Sequence, residues 1–481
     1  MRRRRTPTIM LALIAVTIIG CSADTQAPPV LAKPPPAPMD PKPGAPGAGD
    51  EAYPNDGNGG YDALDYQVGI GFDPATSHLD GDTTVTARAT QDLSRFNLDL
   101  RGLEVASVQI DDKPAQFARE GDFELAITPA EPIRSGTVYR TRIIYSGKPT
   151  QAATAELGDG GWLKSTSGGA YVVGEPHSAA FWYPVNETPL DKATFRLTAR
   201  VPDGWTVISN GRETPPKSEG GWSTTTWTEQ NPIASYLTTV AIDKFTVDRA
   251  TLPDGTPILN AYAPGTEAKR DIENKLPEVL DFLKSKFGPY PQSAAGGIFV
   301  NEDIRFSLET QTRPTYAKWA DLGTIVHENA HQWFGDTVSV RSWSDVCLNE
   351  CFASYAQWLW QEKSGDNLDA RYRAALEITG KSPEFWSHRL TGAAAGHEFE
   401  GVYDKGILAM HALRRKLGED VFNRLLTGWP QQFKNGNASW SDFELFTSNL
   451  AGEKLNAFFD TWFHSDKVPA DADLYPGKLR G

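Results

Sequence analysis

Three cysteines in 481 residues cannot supply the disulfide framework that replaces a core in small secreted domains, so the fold must rest on packing. A basic excess is missing too. Acidic residues outnumber basic ones 61 to 47, for a formal charge of −14, and such a chain lacks the cationic surface that displaces counterions from a phosphate backbone. This argues against nucleic acid as the main partner. The apolar stretch Ile9 to Ile19 is too short to span a bilayer comfortably, and no segment recurs at a fixed period, which sets aside solenoids and propellers. What remains is an ordinary globular composition: hydrophobic residues make up 40%, with 14 Trp and 22 Phe, enough for a large core. The length favours two or three domains.

The N-terminus reads as an address. Arg2 to Arg5 form a basic region, the short apolar stretch follows, and Ile18-Ile19-Gly20-Cys21 ends it, so residues 1–20 read as a secretory signal peptide. Gly20-Cys21 resembles the lipobox of bacterial lipoproteins, which implies lipidation of Cys21 and anchoring on the extracytoplasmic face of the cell membrane. From there to about Gly60 the chain is dominated by Pro, Ala, Gly and Asp, including Pro34-Pro35-Pro36. That composition predicts a disordered tether over 21–60, with a reach between roughly 30 Å as a coil and 110 Å extended.

Over 61–250 short β-rich runs alternate with turn residues: Tyr66 to Ile70, Thr83 to Ala87, Val138 to Tyr145, Thr194 to Val201 and Leu237 to Ile242. Their spacing predicts a β-sandwich, with turns at Asp111-Asp112-Lys113-Pro114 and Pro202-Asp203-Gly204. Over 251–481 the period becomes helical, near Glu267 to Phe287, Leu322 to Phe334, Val346 to Glu362, Val402 to Leu417 and Leu455 to Phe463. The second half is expected to be mostly α.

Chemistry concentrates in His327-Glu328-Asn329-Ala330-His331. Residues four apart share a helix face, so both imidazoles converge on one cation while Glu328 stands beside them to hold a water. With eight His in the chain, chance alone would produce this pattern on the order of once in a hundred such sequences. Glu350 resolves most of that doubt. It follows His331 at an interval that lets one helix end and a second bring a carboxylate to the same metal. Three protein ligands leave one position open, as in catalytic zinc sites, whereas a structural site would be closed by four ligands and favour cysteine. The metzincin pattern is excluded, because Phe334 and Thr337 stand where it needs Gly and His. His78, His177, His388, His397, His411 and His464 lack ligand spacing and read as surface or packing residues.

These motifs resemble the M1 family of zinc aminopeptidases. Tyr61 to Tyr66 is similar to the family's opening strand, Leu348-Asn349-Glu350-Cys351-Phe352-Ala353 to its second zinc motif with Cys351 in place of Gly, and Val402 to Gly406 to the segment carrying its catalytic tyrosine. The resemblance implies a multidomain fold, an N-terminal β-sandwich or saddle followed by a thermolysin-like catalytic domain, and a single zinc ion held by His327, His331 and Glu350. It implies Glu328 as general base and Tyr403 as oxyanion donor, acting on peptides with a free N-terminus. The α-ammonium would be held by Glu309, in Phe306-Ser307-Leu308-Glu309-Thr310, where the family has Gly-Ala-Met-Glu-Asn. Glu175, in Val173-Gly174-Glu175-Pro176, matches a second amine-binding carboxylate without its Gln. The long helical C-terminal domain of larger members is expected to be absent, leaving the cleft more open. Other readings of the same residues are a zinc endopeptidase, an epoxide hydrolase and an inactive surface binding protein. Cys347 and Cys351, four apart beside Glu350, are open to either a disulfide or free thiols and are not expected to ligate zinc.

Overall fold

The computed structural model describes residues 38–154 and 157–480. The expected signal peptide, Cys21 and the Pro-rich stretch through residue 37 lie outside the described residues. No helix among the described residues is long and apolar enough to cross a membrane.

The first half is β-rich because its sequence alternates. Strand Tyr61–Asp73 buries every second side chain over much of its length, including Tyr66, Val68, Ile70 and Phe72. It pairs antiparallel with His78–Ala89 and parallel with Ala193–Pro202, and it lies at the centre of a nine-stranded sheet among the described residues. The turn expected at Asp111-Asp112 is a hairpin turn: both residues take positive φ, 48° and 63°, which Asp tolerates better than most. A four-stranded sheet containing Leu93–Asp99 and a five-stranded one containing Ala170–Val173 complete this half, a β-sandwich or saddle.

The second half is a helical domain carrying a small sheet of its own, in which Thr246–Thr251, Pro257–Tyr262, Ala295–Phe299 and Thr315–Tyr316 are neighbours in order. A boundary at residue 250 therefore cuts a hairpin, and the sheets part just before Thr246. Periodicity misplaced it because Thr246–Thr251 is a mostly exposed strand with little hydrophobic signature. Two cations, Lys192 half-buried and Arg313 fully buried, bind the halves. Lys192 donates to the carbonyls of Asp336 and Thr337 at 2.6 and 3.3 Å, and burial lowers its ammonium to about 7. Arg313 donates to the carbonyls of Leu259, Ser209 and Gly211 over Trp227, and burial lowers its guanidinium to about 10.

The expected tether does not run to residue 60. From Asp40 the chain packs on the body: Lys42–Pro43 adds parallel to the edge of Leu93–Asp99, and Asp50, Asp56 and Asn58 are buried. Proline suits such an edge because it withdraws an N–H from a position with no further partner. Composition predicted a coil because this segment is held by backbone ladders and polar side chains rather than by apolar ones.

Candidate active site

Helix α1, Leu322–Ala330, begins where the sequence caps it. Asp321 Oδ1 accepts from Thr324 N at 2.9 Å, and Asp321 N donates to Thr324 Oγ1 at 3.3 Å. The helix ends at Ala330, short of the expected Phe334, but His331 keeps helical geometry with φ −58°. Its ring therefore stays one turn beyond His327, with the two Nε2 atoms 3.1 Å apart. His331 Nδ1 donates to Phe334 O at 2.9 Å, which fixes the ring with Nε2 toward His327 and Glu350.

Helix α2, Cys347–Lys363, is buried along most of its length and presents Glu350 from its first turn, only 2% exposed. Glu350 Oε2 lies 3.2 Å from His327 Nε2 and 3.4 Å from His331 Nε2. Donors bound to one tetrahedral zinc at roughly 2.0–2.1 Å stand about 3.3 Å apart, so this triangle is one face of such a tetrahedron. The donor set fits the ion. Burial works to raise the Glu350 carboxyl, but the charge of His331 and the hydrogen bond from His327 outweigh it and hold the group well below its usual range, an anion ready to ligate.

Cys347 and Cys351 form a disulfide within the first turn of α2, their Cα atoms 4.8 Å apart, and neither sulfur joins the ligand cluster among the described residues. Helix α3, Lys405–Leu417, approaches this turn through Gly406, where a Cβ would meet Cys351 Sγ at 2.4 Å. Tyr403 is not on that helix, as periodicity suggested, but in the turn before it. It is 39% exposed at the cleft, its ring 6.1 Å from that of His327. Desolvation of its hydroxyl, then the carboxylates of Glu350, Glu175, Glu309 and Glu328, push the phenol well above its ordinary range, so it stays a donor.

Glu328, Glu309 and Glu175 all line the same cleft of about 280 Å³. Burial raises the carboxyl of each above the usual range, and for Glu175 the charges of Glu309 and Glu350 add to it. Glu309 accepts from Tyr236 OH at 3.3 Å, and its segment is pinned by Gln332, which donates to Glu309 O and accepts from Thr312 N. Glu175 Oε1 is buried with no hydrogen-bond partner. No Lys or Arg pairs with Glu175 or Glu309 among the described residues, although Arg305 also lines the cleft. Sequence reading missed Tyr236, Gln332, Ser354 and Gln357. The last two follow Glu350 by four and seven residues on α2, a helical spacing that marks them as its neighbours in the cleft.

Two family models match, the peptidase M1 N-terminal domain over residues 62–237 and the peptidase family M1 domain over 295–462. A putative aminopeptidase-2 of Caenorhabditis elegans is 26% identical over 83% of this chain and 23% of its own length. A probable aminopeptidase 1 of Sulfurisphaera tokodaii is 26% identical over 79% and 50%. The chain thus spans half or less of the curated relatives it matches. An M1 zinc metallopeptidase of Deinococcus radiodurans superposes with a TM-score of 0.82 at 28% identity, covering 88% of this chain and 98% of that one. A mutant of that enzyme has been solved with a Tyr-Ser-Ala substrate. With both domain models matched and the two-domain fold shared, this chain belongs to the peptidase M1 family.

Proposed function

We propose that the protein is a zinc-dependent aminopeptidase that removes N-terminal residues from peptides. The observation that carries this reading is the pair of buried carboxylates, Glu175 and Glu309, lining one cleft with the ligand triangle and, among the described residues, without a Lys or Arg partner. Buried anions left uncompensated are costly, and a substrate ammonium would neutralise them. When bound, zinc supplies a Lewis acid that polarises the scissile carbonyl and acidifies water. Glu328 takes a proton as water adds to the carbonyl carbon, and delivers it to the amine nitrogen as the C–N bond breaks. Tyr403 donates a hydrogen bond to the oxyanion. Relatives named as aminopeptidases, and a Tyr-Ser-Ala substrate bound to a mutant of the Deinococcus enzyme, support a peptide as substrate. A panel of aminoacyl reporters should be hydrolysed, with activity lost to a chelator and restored by added zinc. Activity that survives complete zinc removal would sink this reading.

We further propose that the protein is exported and held at the membrane by lipid on Cys21. Support comes from Arg2 to Arg5, the short apolar stretch and Gly20-Cys21 ahead of a Pro-rich segment. One acyl chain anchors weakly, so firm attachment implies more than one on that cysteine. Cys21→Ser should move the protein from the membrane fraction to the soluble one. An unmodified N-terminus downstream of Cys21 in membrane extracts, read by mass spectrometry, would rule the anchor out.

A further inference from the structure

The segment between Asp50 and Asn58 touches the stretches that lead to Glu350, to Tyr403 and from Glu175. Asp50 lies ahead of the zinc-ligand helix: its Oδ2 accepts from Trp343 N at 2.8 Å and its Oδ1 from Ser342 Oγ at 2.9 Å. Ser342 and Trp343 open the short turn that feeds α2 and Glu350. Tyr53 reaches the loop that ends in Tyr403, its hydroxyl donating to Glu398 Oε1 at 2.5 Å and accepting from Gly396 N at 3.2 Å. Asp56 pairs with His177, two residues beyond Glu175, and the Tyr53 ring packs edge-on against the same imidazole at 5.3 Å.

We propose that Asp50, Tyr53 and Asp56 form a strap that positions the substrate-facing groups of the site, Tyr53 setting Tyr403 and Asp56 setting Glu175. The roles of those two groups rest on the aminopeptidase reading; the strap itself rests on its own contacts. Asn58 belongs to the same segment but bonds only within the β-rich half, to Asp99 and Asn186. It is the internal control. None of the strap residues touches the ligand triangle, so zinc content should be unaffected by changing them.

The division of labour predicts a division of kinetic effects. Tyr403 acts on the oxyanion, which exists only in the transition state, whereas Glu175 holds the ammonium throughout. Displacements well below 1 Å suffice, since about 1 Å costs on the order of a hundredfold. Tyr53→Phe keeps the ring against His177 and removes only the hydroxyl. It should lower kcat about tenfold with little change in KM. Asp56→Asn should raise KM for free-amine reporters about fivefold, with a smaller effect on kcat. Both should keep wild-type zinc content, and Asn58→Ala should lower the melting temperature without either kinetic change.

Amide hydrogen exchange supplies a readout independent of turnover. Gly396 N–H is held by Tyr53, so its exchange in Tyr53→Phe should rise about tenfold or more. The amides of Gly174, Glu175 and His177 should behave likewise in Asp56→Asn. The strap is refuted if exchange at both places is unchanged, or if Asn58→Ala, at an equal loss of melting temperature, reproduces the same kinetic split. If the wild-type enzyme hydrolyses no free-amine reporter, the aminopeptidase reading fails, and the exchange data still decide whether the strap positions these loops.

Discussion

Glu328→Gln is expected to lose roughly a thousandfold or more in kcat while keeping its zinc. The side chain is buried with its carboxylate within 4.8 Å of both imidazoles, but it is Glu350 Oε2, at 3.2 and 3.4 Å from the two Nε2 atoms, that completes the tight triangle, which leaves Glu328 the role of base. Glutamine matches glutamate in shape, so packing in the cleft survives; what disappears is the ability to accept a proton. Burial raises the Glu328 carboxyl above the usual range, which suits a group that must both take a proton from water and release it to an amine. Two measurements check the assignment together: turnover on an aminoacyl reporter, and zinc per chain after dialysis. Near-normal turnover would remove Glu328 from the reaction. Loss of zinc together with turnover would make it a ligand. Tyr403→Phe is the companion variant, expected to cost about a hundredfold in kcat at unchanged zinc content, the usual effect of deleting one oxyanion donor.

The convergence of His327, His331 and Glu350 was legible in the sequence because its geometry is local. Two histidines four apart need only a helix to converge, and the interval to Glu350 needs only a second helix. Tyr403 was legible only through family resemblance, since the turn that holds it has no periodicity, and its placement depends on a Glu400 that accepts from both His388 and His397. The strap was not legible at all. A Pro- and Gly-rich stretch lacks an apolar face, and the partners of Asp50, Tyr53 and Asp56 lie more than a hundred residues away. Nor did spacing decide the state of Cys347 and Cys351; four residues on a helix allow both a bond and two thiols, and the structure joins them. The domain boundary failed for a related reason. A largely exposed hairpin strand carries the pattern of neither half until its partner is known.

N-terminal selectivity should be the second large effect: acetylating a substrate's amine is expected to lower kcat/KM by roughly a hundredfold or more, and Glu309→Ala should remove most of that discrimination. The family's neighbours of this glutamate are replaced by Phe306 and Thr310, so the carboxylate must be held by other means. It is. Gln332, directly after the ligand His331, donates to Glu309 O at 3.1 Å, and Tyr236 OH reaches Oε1 at 3.3 Å. Thr310 Oγ1 closes the following turn on Arg313 O at 2.6 Å, and Arg313 is itself fixed to three carbonyls. Backbone anchoring thus fixes the turn that carries Glu309, and an ammonium answers to the carboxylate rather than to the residues beside it. Removing Glu309 should therefore hurt free aminoacyl substrates far more than N-acetylated ones, bringing the two rates together from above. Glu175→Ala should act in the same direction, since its unpartnered oxygen lines the same cleft. Equal cleavage of free and acetylated peptides by the unmodified enzyme, with internal bonds hydrolysed, would instead make it an endopeptidase on the same metal site and strip both carboxylates of the role assigned to them.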